Sequence, residues 1–460
     1  MSRVSLALRS LVSVAALGAA AWLVVGQGRR GGLEAELRAR QALADVGHGA
    51  VGAAEVTAEG ENERAWALER ARPGRTGQAL AAGEGGAYRW RVVFQGGGEV
   101  HVSDAGLLWS LRRPLPTAPG PDLYRPRSGA FLTAALARLV PDPESWRLED
   151  VQTWEEEGCT WYRGWFVGDA GGLPRGWRRE AEVEVAGSTT IAFSRHVQPL
   201  GIDVGVVEGR LEELAILRLP ALAGVGLIVV AMLVTGVGAV VKHRPVAWVL
   251  GGSWALALVG LAAMSPDVAT RWGGGILAIG AVMALLPAEL RGGWIDGATG
   301  AAAGVALAAT ALGARLLALG AGAFVPLTPA LPEHVSAWAL LPQAWMPALI
   351  EEPILRGVLP AIARPVLGWW GAALLSVPVG ALLHPLPTVP LAVGLLLEGA
   401  IQLALVVVAR HGGVAAAVAA RGVLESILRR PAYPLGWPWD AAAILGVIGG
   451  AVCLVAWRKR

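Results

Sequence analysis

Cysteine and lysine are nearly missing from this sequence. Among 460 residues there are two cysteines, Cys159 and Cys453, which lie too far apart in the chain to suggest a pair. A disulfide framework and a cysteine-based metal site are therefore both excluded. Lysine occurs only at Lys242 and Lys459, so almost all of the positive charge comes from arginine. A bias toward Ala, Gly and Arg is what a GC-rich genome produces, and it indicates a bacterial source.

Several functional patterns are also absent. No basic stretch with interleaved aromatic residues occurs, which argues against a nucleic-acid partner. The HExxH pattern of zinc proteases does not occur either. The segment Gly251-Gly252-Ser253-Trp254 lacks the second glycine of a serine nucleophile elbow. Most histidines lie in the soluble insert or in loops: His48, His101, His196, His243 and His334.

Apolar side chains are what the sequence has in abundance. They make up 54% of the residues, the mean hydropathy is +0.50, and the net charge is only +3. This composition is too apolar for an ordinary soluble protein of this length. They predict a multi-pass protein of the cytoplasmic membrane, with the lipid bilayer as its first partner.

The apolar runs predict an all-α polytopic core of about ten transmembrane helices, with an α+β extracytoplasmic domain inserted after the first helix. Residues 5–26 are the first run, either an uncleaved signal anchor, which we prefer, or a cleaved signal peptide. Residues 28–212 form the inserted domain, and 214–460 the polytopic domain. The nine spans expected there are 216–241, 246–264, 272–290, 297–320, 335–358, 366–384, 388–409, 412–428 and 440–457. Arginines near the span ends favour both termini in the cytoplasm.

The inserted domain shows the alternation of β-hairpins. Residues 88–94 and 99–103 alternate around a glycine-rich turn, and residues 180–185 and 189–196 alternate around Gly187. The recurrence suggests a weak duplication in which each half is a helix followed by strands. Most tryptophans of this domain are expected in its core. No residues in it have the spacing of a catalytic or metal site.

Charged residues cluster inside one apolar run, at Glu351-Glu352-Pro353-Ile354-Leu355-Arg356. A charge at membrane depth costs roughly 2.5–3.5 kcal/mol on insertion scales, so the cluster indicates function. Glu352 and Arg356 stand four apart and are expected to form an ion pair, which leaves Glu351 as the reactive carboxylate. His384 closes the next apolar run and is a candidate second catalytic group. A carboxylate in an apolar pocket can take a proton from water, and imidazole can share it or bind an oxyanion, so the pair predicts hydrolysis.

Other polar residues within the apolar runs have competing interpretations. Arg315 is expected to pair with another buried charge. Glu398 and Gln402 stand four apart and can bridge to a neighbouring helix, although Glu398 is also a site candidate. Arg421 and Glu425 are also four apart, on a helix rich in alanine and glycine, and fit a catalytic role and a structural ion pair equally well.

These residues resemble the motifs of the CPBP intramembrane metalloprotease family, which includes type II CAAX prenyl endopeptidases and bacteriocin-processing, immunity and abortive-infection proteins. The first motif, EExxxR, is complete at Glu351, Glu352 and Arg356. The second, FxxxH, has His384 but carries Gly380 at the phenylalanine position. The third, a histidine with asparagine four residues later, falls on Arg421 and Glu425, which depart from it. The resemblance covers about 335–430.

The resemblance implies an all-helical membrane core that cleaves membrane-associated peptides or proteins. Its catalytic set would be Glu351, Glu352, Arg356, His384, Arg421 and Glu425, with Glu351 activating water and His384 assisting. A divalent metal such as zinc, held by Glu351 and His384, and a mechanism with glutamate alone both remain open. The rival function is a non-catalytic membrane scaffold or immunity-type protein that keeps EExxxR as an ion pair. A transporter is weaker, because the hydropathy shows no inverted repeat.

Overall fold

The computed structural model describes residues 27–48, 52–72, 75–115, 128–156, 159–169, 171–199, 213–223, 248–263, 294–327, 335–336 and 340–428, with single positions at 226, 230 and 279. The first predicted segment, 5–26, and the last predicted span, 440–457, lie outside these residues. The predicted spans 216–241 and 272–290 lie outside them for the most part.

An antiparallel sheet with helices on it forms from residues 27–199. The helices are α1 (Gln27–Asp45), α2 (Asn62–Ala71), α3 (Arg75–Ala82) and α4 (Ser128–Ala137). The strands are β1 (Ala54–Gly60), β2 (Tyr88–Phe94), β3 (Gly98–Ser103), β4 (Leu108–Arg112), β5 (Trp146–Glu156), β6 (Cys159–Gly168), β7 (Trp177–Ala186) and β8 (Thr189–Pro199). We call this part the sheet domain.

The strands lie in the order β5-β6-β7-β8-β4-β3-β2-β1-β9, where β9 (Val335–Ser336) comes from a later segment of the chain. Each half of the sheet domain contributes four strands in sequential order, and the halves meet where Leu111 of β4 lies opposite Phe193 of β8. The β2–β3 hairpin and the β7–β8 hairpin confirm the two predicted from sequence alternation. Gly187 turns the second hairpin with a φ of 59°, a conformation that glycine adopts without strain.

One face of the sheet carries the main apolar core. Every second residue of β2 is buried, and Trp90, Val92 and Phe94 pack under α1 together with Leu43. This burial follows from the two-residue period of a strand, which places alternate side chains on the same face. Tryptophans at 66, 90, 109, 146, 161 and 177 are buried, which confirms their predicted place in the core, whereas Trp154 and Trp165 are half-buried.

A polar cluster links strand β7 to the segment that precedes β5. Asp142 accepts hydrogen bonds from Ser145 at 2.7 Å, from the Trp146 indole at 3.4 Å and from Arg179 at 3.2 Å. Burial by itself would raise the pKa of Asp142, but the three hydrogen bonds and the Arg179 charge together hold it below its ordinary value. The ionised carboxylate therefore stabilises this corner of the sheet domain.

The helical region follows the sheet domain in the chain. Its elements are α5 (Trp248–Ala263), α6 (Trp294–Gly320), α7 (Leu340–Glu352), a π-helical turn (Pro353–Val358), α8 (Leu359–Leu374), α9 (Ser376–Leu383) and α10 (Leu391–Leu428). Helix α8 is broken at Gly368 and α10 at Gly413, where φ is 67° and 69°. Glycine at both breaks supplies backbone conformations that other residues reach only with strain.

The predicted all-α core of about ten transmembrane helices is wrong. In the part of the chain that the structure describes, α6 and α10 are the two helices long and apolar enough to cross a membrane. A third span is present if residues 345–374 and 376–383, bent by 44°, are one crossing. The sheet is also not confined to the predicted inserted domain, because its ninth strand, β9, comes from the segment between α6 and α7. Hydropathy windows failed because they cannot separate a helix in lipid from one packed in protein: Met346, Ala348 and Ile350 of α7 are buried within the fold.

Small residues bring α6 and α10 into close contact. A methyl group at Gly300 would lie 2.1 Å from the carbonyl oxygen of Ala416, and one at Gly304 would lie 2.4 Å from that of Ala420. Two glycines four apart on one helix allow this approach of backbones, as in membrane helix pairs. The second half of α10 is therefore held against α6, with Arg421 directed into the protein, where it is 2% exposed.

Candidate active site

Glu351 and His384 are brought together from two different helices. Glu351 stands next to the end of α7, and His384 follows directly on α9. The His384 Nε2 atom and the Glu351 Oε2 atom are in hydrogen-bonding contact. Their side chains are 16% and 14% exposed, so this pair is reachable from outside while most of its surface is covered. The two residues with acid–base chemistry thus share one partly open position.

The turn after Glu352 departs from an ordinary α-helix. Pro353 has no N–H group, so the hydrogen bond expected at this position cannot form, and the chain widens into a π-helical turn over Pro353–Val358. Glu352 and Arg356 still pair within it, with 3.3 Å between Oε2 and Nε. Both side chains are almost fully buried, which confirms the ion pair predicted from their spacing.

Arg356 connects the turn to two other helices. Its guanidinium donates to the Ser376 hydroxyl at the start of α9, and to the Gln402 side chain and backbone carbonyl on α10, the latter at 3.1 Å. Gln402 therefore bridges to a neighbouring element, as predicted. Because Glu351 lies five residues before Arg356, these bonds also fix the segment that carries the Glu351 carboxylate.

A second ion-pair group lies on α10. Arg421 donates to Glu398 at 2.9 Å and pairs with Glu425 at 2.6 Å, and Gln402 donates to the same Glu398 oxygen at 3.0 Å. Residues 398 and 421 would be roughly 35 Å apart on a straight helix at 1.5 Å per residue. Their contact therefore requires the chain to reverse at the Gly413 break. The two spans that were predicted at 388–409 and 412–428 therefore correspond to the two arms of the bent helix α10.

The two groups form one electrostatic cluster. The charges of Glu351 and Glu352 act on the Arg421 guanidinium, and the charges of Glu398 and Glu425 act on Arg315, which is buried on α6. The ion pair expected for Arg315 is not among the contacts that the described residues form, and these carboxylates act on it only at longer range. Of the six predicted site residues, Glu351 and His384 are partly exposed, whereas Glu352, Arg356, Arg421 and Glu425 are buried and already bonded to one another or to neighbouring helices.

Gly380 and Ser376 contribute to the site in ways that sequence reasoning did not find. A methyl group at Gly380 would lie 2.4 Å from the Gln402 Oε1 atom, so the Gln402 side chain occupies the space that a larger residue would need. This explains why glycine stands where the resembled motif has phenylalanine. Ser376 is fully buried and receives an Arg356 hydrogen bond. A single serine in an apolar run carries no local signal of that role.

A resident metal does not fit the donor set of this site. Glu351 and His384 supply two ligands, and an arginine such as Arg421 at the third motif position cannot act as one. Within the residues that the structure describes, no group of three or more His, Cys, Asp or Glu side chains is placed to hold a metal ion.

Comparisons with protein-family models, with curated proteins and with solved structures find no match to this chain. The function must be argued from the site itself.

Proposed function

We propose that this chain is an intramembrane endopeptidase, similar to the CPBP family, that hydrolyses peptide bonds of membrane-associated substrates. The observation that carries the proposal is the contact between Glu351 and His384 at a partly exposed position, next in the chain to the buried Glu352–Arg356 ion pair. A carboxylate and an imidazole within hydrogen-bond reach are the usual groups for activating water. The EExxxR arrangement of Glu351, Glu352 and Arg356 adds support by resemblance.

In the proposed reaction, Glu351 takes a proton from a water molecule as the water oxygen attacks the carbonyl carbon of the scissile peptide. The proton then passes to the amide nitrogen as the carbon–nitrogen bond breaks, which releases a carboxylic acid and an amine. His384 orients the Glu351 carboxylate and, when protonated, donates a hydrogen bond to the developing oxyanion. Glu352 and Arg356 are positioning residues, because they hold the turn rather than face the substrate.

We further propose a multi-pass location in the bacterial cytoplasmic membrane. Two or three helices long and apolar enough to span a bilayer support membrane association. The arginines near the ends of the apolar runs favour the sheet domain on the outer side. Substrates would then approach from the bilayer.

The second candidate is a non-catalytic scaffold or immunity-type protein. It is favoured by one observation: Arg421 and Glu425, at the third motif positions, are buried and bonded to each other, and Arg421 also bonds Glu398. In that case EExxxR is retained because Glu352 and Arg356 stabilise the fold, and Glu351 and His384 have no reaction to perform.

An assay for cleavage of membrane-anchored peptides by the purified chain distinguishes the peptidase from the non-catalytic scaffold. We expect turnover by the parent, and a loss of roughly 10²–10⁴-fold in Glu351→Gln and His384→Gln, the range that one acid–base group contributes. His411→Gln is the matched control, since His411 is an exposed histidine on α10, and should cleave as the parent does. Failure of the parent on a broad peptide panel would favour the scaffold. Full activity of both site variants would refute the proposed roles of Glu351 and His384 in cleavage. A chelator added to an active preparation tests the metal requirement.

A further inference from the structure

Two connecting segments of the helical region touch each other beside the sheet domain. One is 321–327, which follows α6, and the other is 384–390, which joins α9 to α10. Phe324 N–H donates to the Val389 carbonyl at 2.9 Å, and Val389 N–H donates back to the Phe324 carbonyl at 3.0 Å. His384 is the first residue of the second segment. The candidate active site is thus only five residues away from this bridge.

The sheet domain holds the bridge through an apolar contact. The Phe324 side chain is 9% exposed and belongs to the same buried cluster as Trp66 and Leu68 of α2 and Trp109 of β4. Val389 packs against that cluster as well. Burial of a phenylalanine side chain is one of the larger single hydrophobic contributions that a residue makes. The second core of the sheet domain is therefore completed by residues from the helical region.

A buried carboxylate fixes the same segment. Glu69 on α2 is 2% exposed, and its Oε2 atom accepts the Leu327 N–H at 3.0 Å. A carboxylate at this depth is costly unless it is bonded, so the contact selects one position of 321–327 on α2. The pairing of β9 with Thr57 and Ala58 of β1 attaches the following segment to the sheet. The two regions are joined at several independent points.

The bridge is connected stiffly to His384. Thr388 is fully buried, and its hydroxyl accepts the Gly394 N–H of α10 at 2.9 Å. Between Thr388 and His384 lie Pro385-Leu386-Pro387, and each proline has a restricted φ. Three residues with two prolines leave few conformations, so a displacement of Val389 moves the end of α9 on which His384 sits.

We propose that Phe324 and Glu69 are positioning residues for the candidate site: the docked sheet domain holds the 384–390 segment so that His384 meets Glu351. The catalytic consequence rests on the proposed function, whereas the geometric coupling does not. A ligand or partner that loosens the sheet domain would separate His384 from Glu351, which makes docking of this domain a means of control over hydrolysis.

The test uses the full chain labelled with ¹⁵N-histidine, in detergent micelles, with the His384 imidazole resonance assigned by its loss in His384→Gln. We expect Phe324→Ala and Glu69→Gln to shift the His384 resonance. Hydrogen–deuterium exchange of the unlabelled chain, followed by mass spectrometry, should show amide exchange at Leu386, Thr388 and Val389 at least tenfold faster in both variants. Phe324→Leu, which keeps an apolar anchor, should restore most of the parent behaviour. A merely structural role would not change the imidazole signal selectively.

Matched controls lie in the same domain. Phe131→Ala, which removes a ring packed on the main core, and Glu63→Gln, on the same helix as Glu69, should leave the His384 signal unchanged. The His101 resonance, from β3, is the internal reference in every sample. An unchanged His384 signal in both Phe324→Ala and Glu69→Gln, or an equal shift in the controls, overturns the proposal. Because the readout needs no turnover, an inactive parent would refute the peptidase function without affecting this result.

Discussion

Replacing Arg421 with leucine tests whether the buried ion pairs support the helical region. Arg421 lies 2.9 Å from Glu398 and 2.6 Å from Glu425, and its side chain is 3% exposed. The substitution leaves two buried carboxylates without the guanidinium that now bonds them. Removing one partner of a buried ion pair costs about 3–5 kcal/mol. At 1.4 kcal/mol per factor of ten, the unfolding equilibrium should shift by roughly two to three and a half powers of ten.

A variant that removes all three charges separates charge from packing. In Arg421→Leu/Glu398→Gln/Glu425→Gln, no carboxylate is left without its partner, and neutral replacement of a whole buried group is often harmless to stability. We therefore expect the triple variant to recover most of the loss. The single change Glu425→Gln should have a smaller effect than Arg421→Leu, because the amide oxygen can still accept from Arg421.

The assay is reversible unfolding of the purified chain in mixed micelles with increasing SDS, followed by helical circular dichroism. If Arg421→Leu lowers the free energy of unfolding by less than about 1 kcal/mol, the reasoning is refuted, because an ion pair exposed to solvent contributes that much. A triple variant less stable than Arg421→Leu would also refute it, because the cost would then arise from packing rather than from unpaired charge.

Two further predictions concern a glycine and an acid. Gly380→Ala should destabilise the helical region by about 1–3 kcal/mol, because the new methyl group displaces Gln402. Gly399 has open space around it, so Gly399→Ala should stabilise the same region by about 0.5–1 kcal/mol. Equal effects of the two substitutions in thermal denaturation would contradict this. Because the pKa of Asp142 is lowered from 3.8, its contribution to the free energy of unfolding should be complete above 3.8 and lost as pH falls below it. Asp142→Asn should remove that part of the pH dependence in urea titrations, and an unchanged acid slope would count against it.

Local patterns in the sequence were sufficient for several features. The hairpins at β2–β3 and β7–β8 follow from two-residue alternation and turn glycines, and both are present in the sheet. The Glu352–Arg356 ion pair follows from a spacing of four residues. Each of these depends on neighbours within a few residues, where backbone geometry decides which side chains share a face.

Hydropathy was insufficient for the fold as a whole. Apolar windows predict ten membrane helices, while the described residues contain two or three helices able to span a bilayer. The same apolar composition serves a helix in lipid and a helix packed against protein, so composition cannot tell them apart. The apolar stretch 340–383 changes to a π-helical turn at Pro353, and its helix is broken again at Gly368, where φ is 67°.

The sequence by itself determined which residues are candidates for the site, because charges inside apolar runs are costly and therefore stand out. It also indicated the pairing within each turn. Only the tertiary structure decided that Glu351 meets His384, that Arg421 reaches Glu398 across the reversal at Gly413, and that Phe324 completes the core of the sheet domain. These contacts join residues far apart in the chain, and packing of whole elements, rather than any local spacing, brings them together.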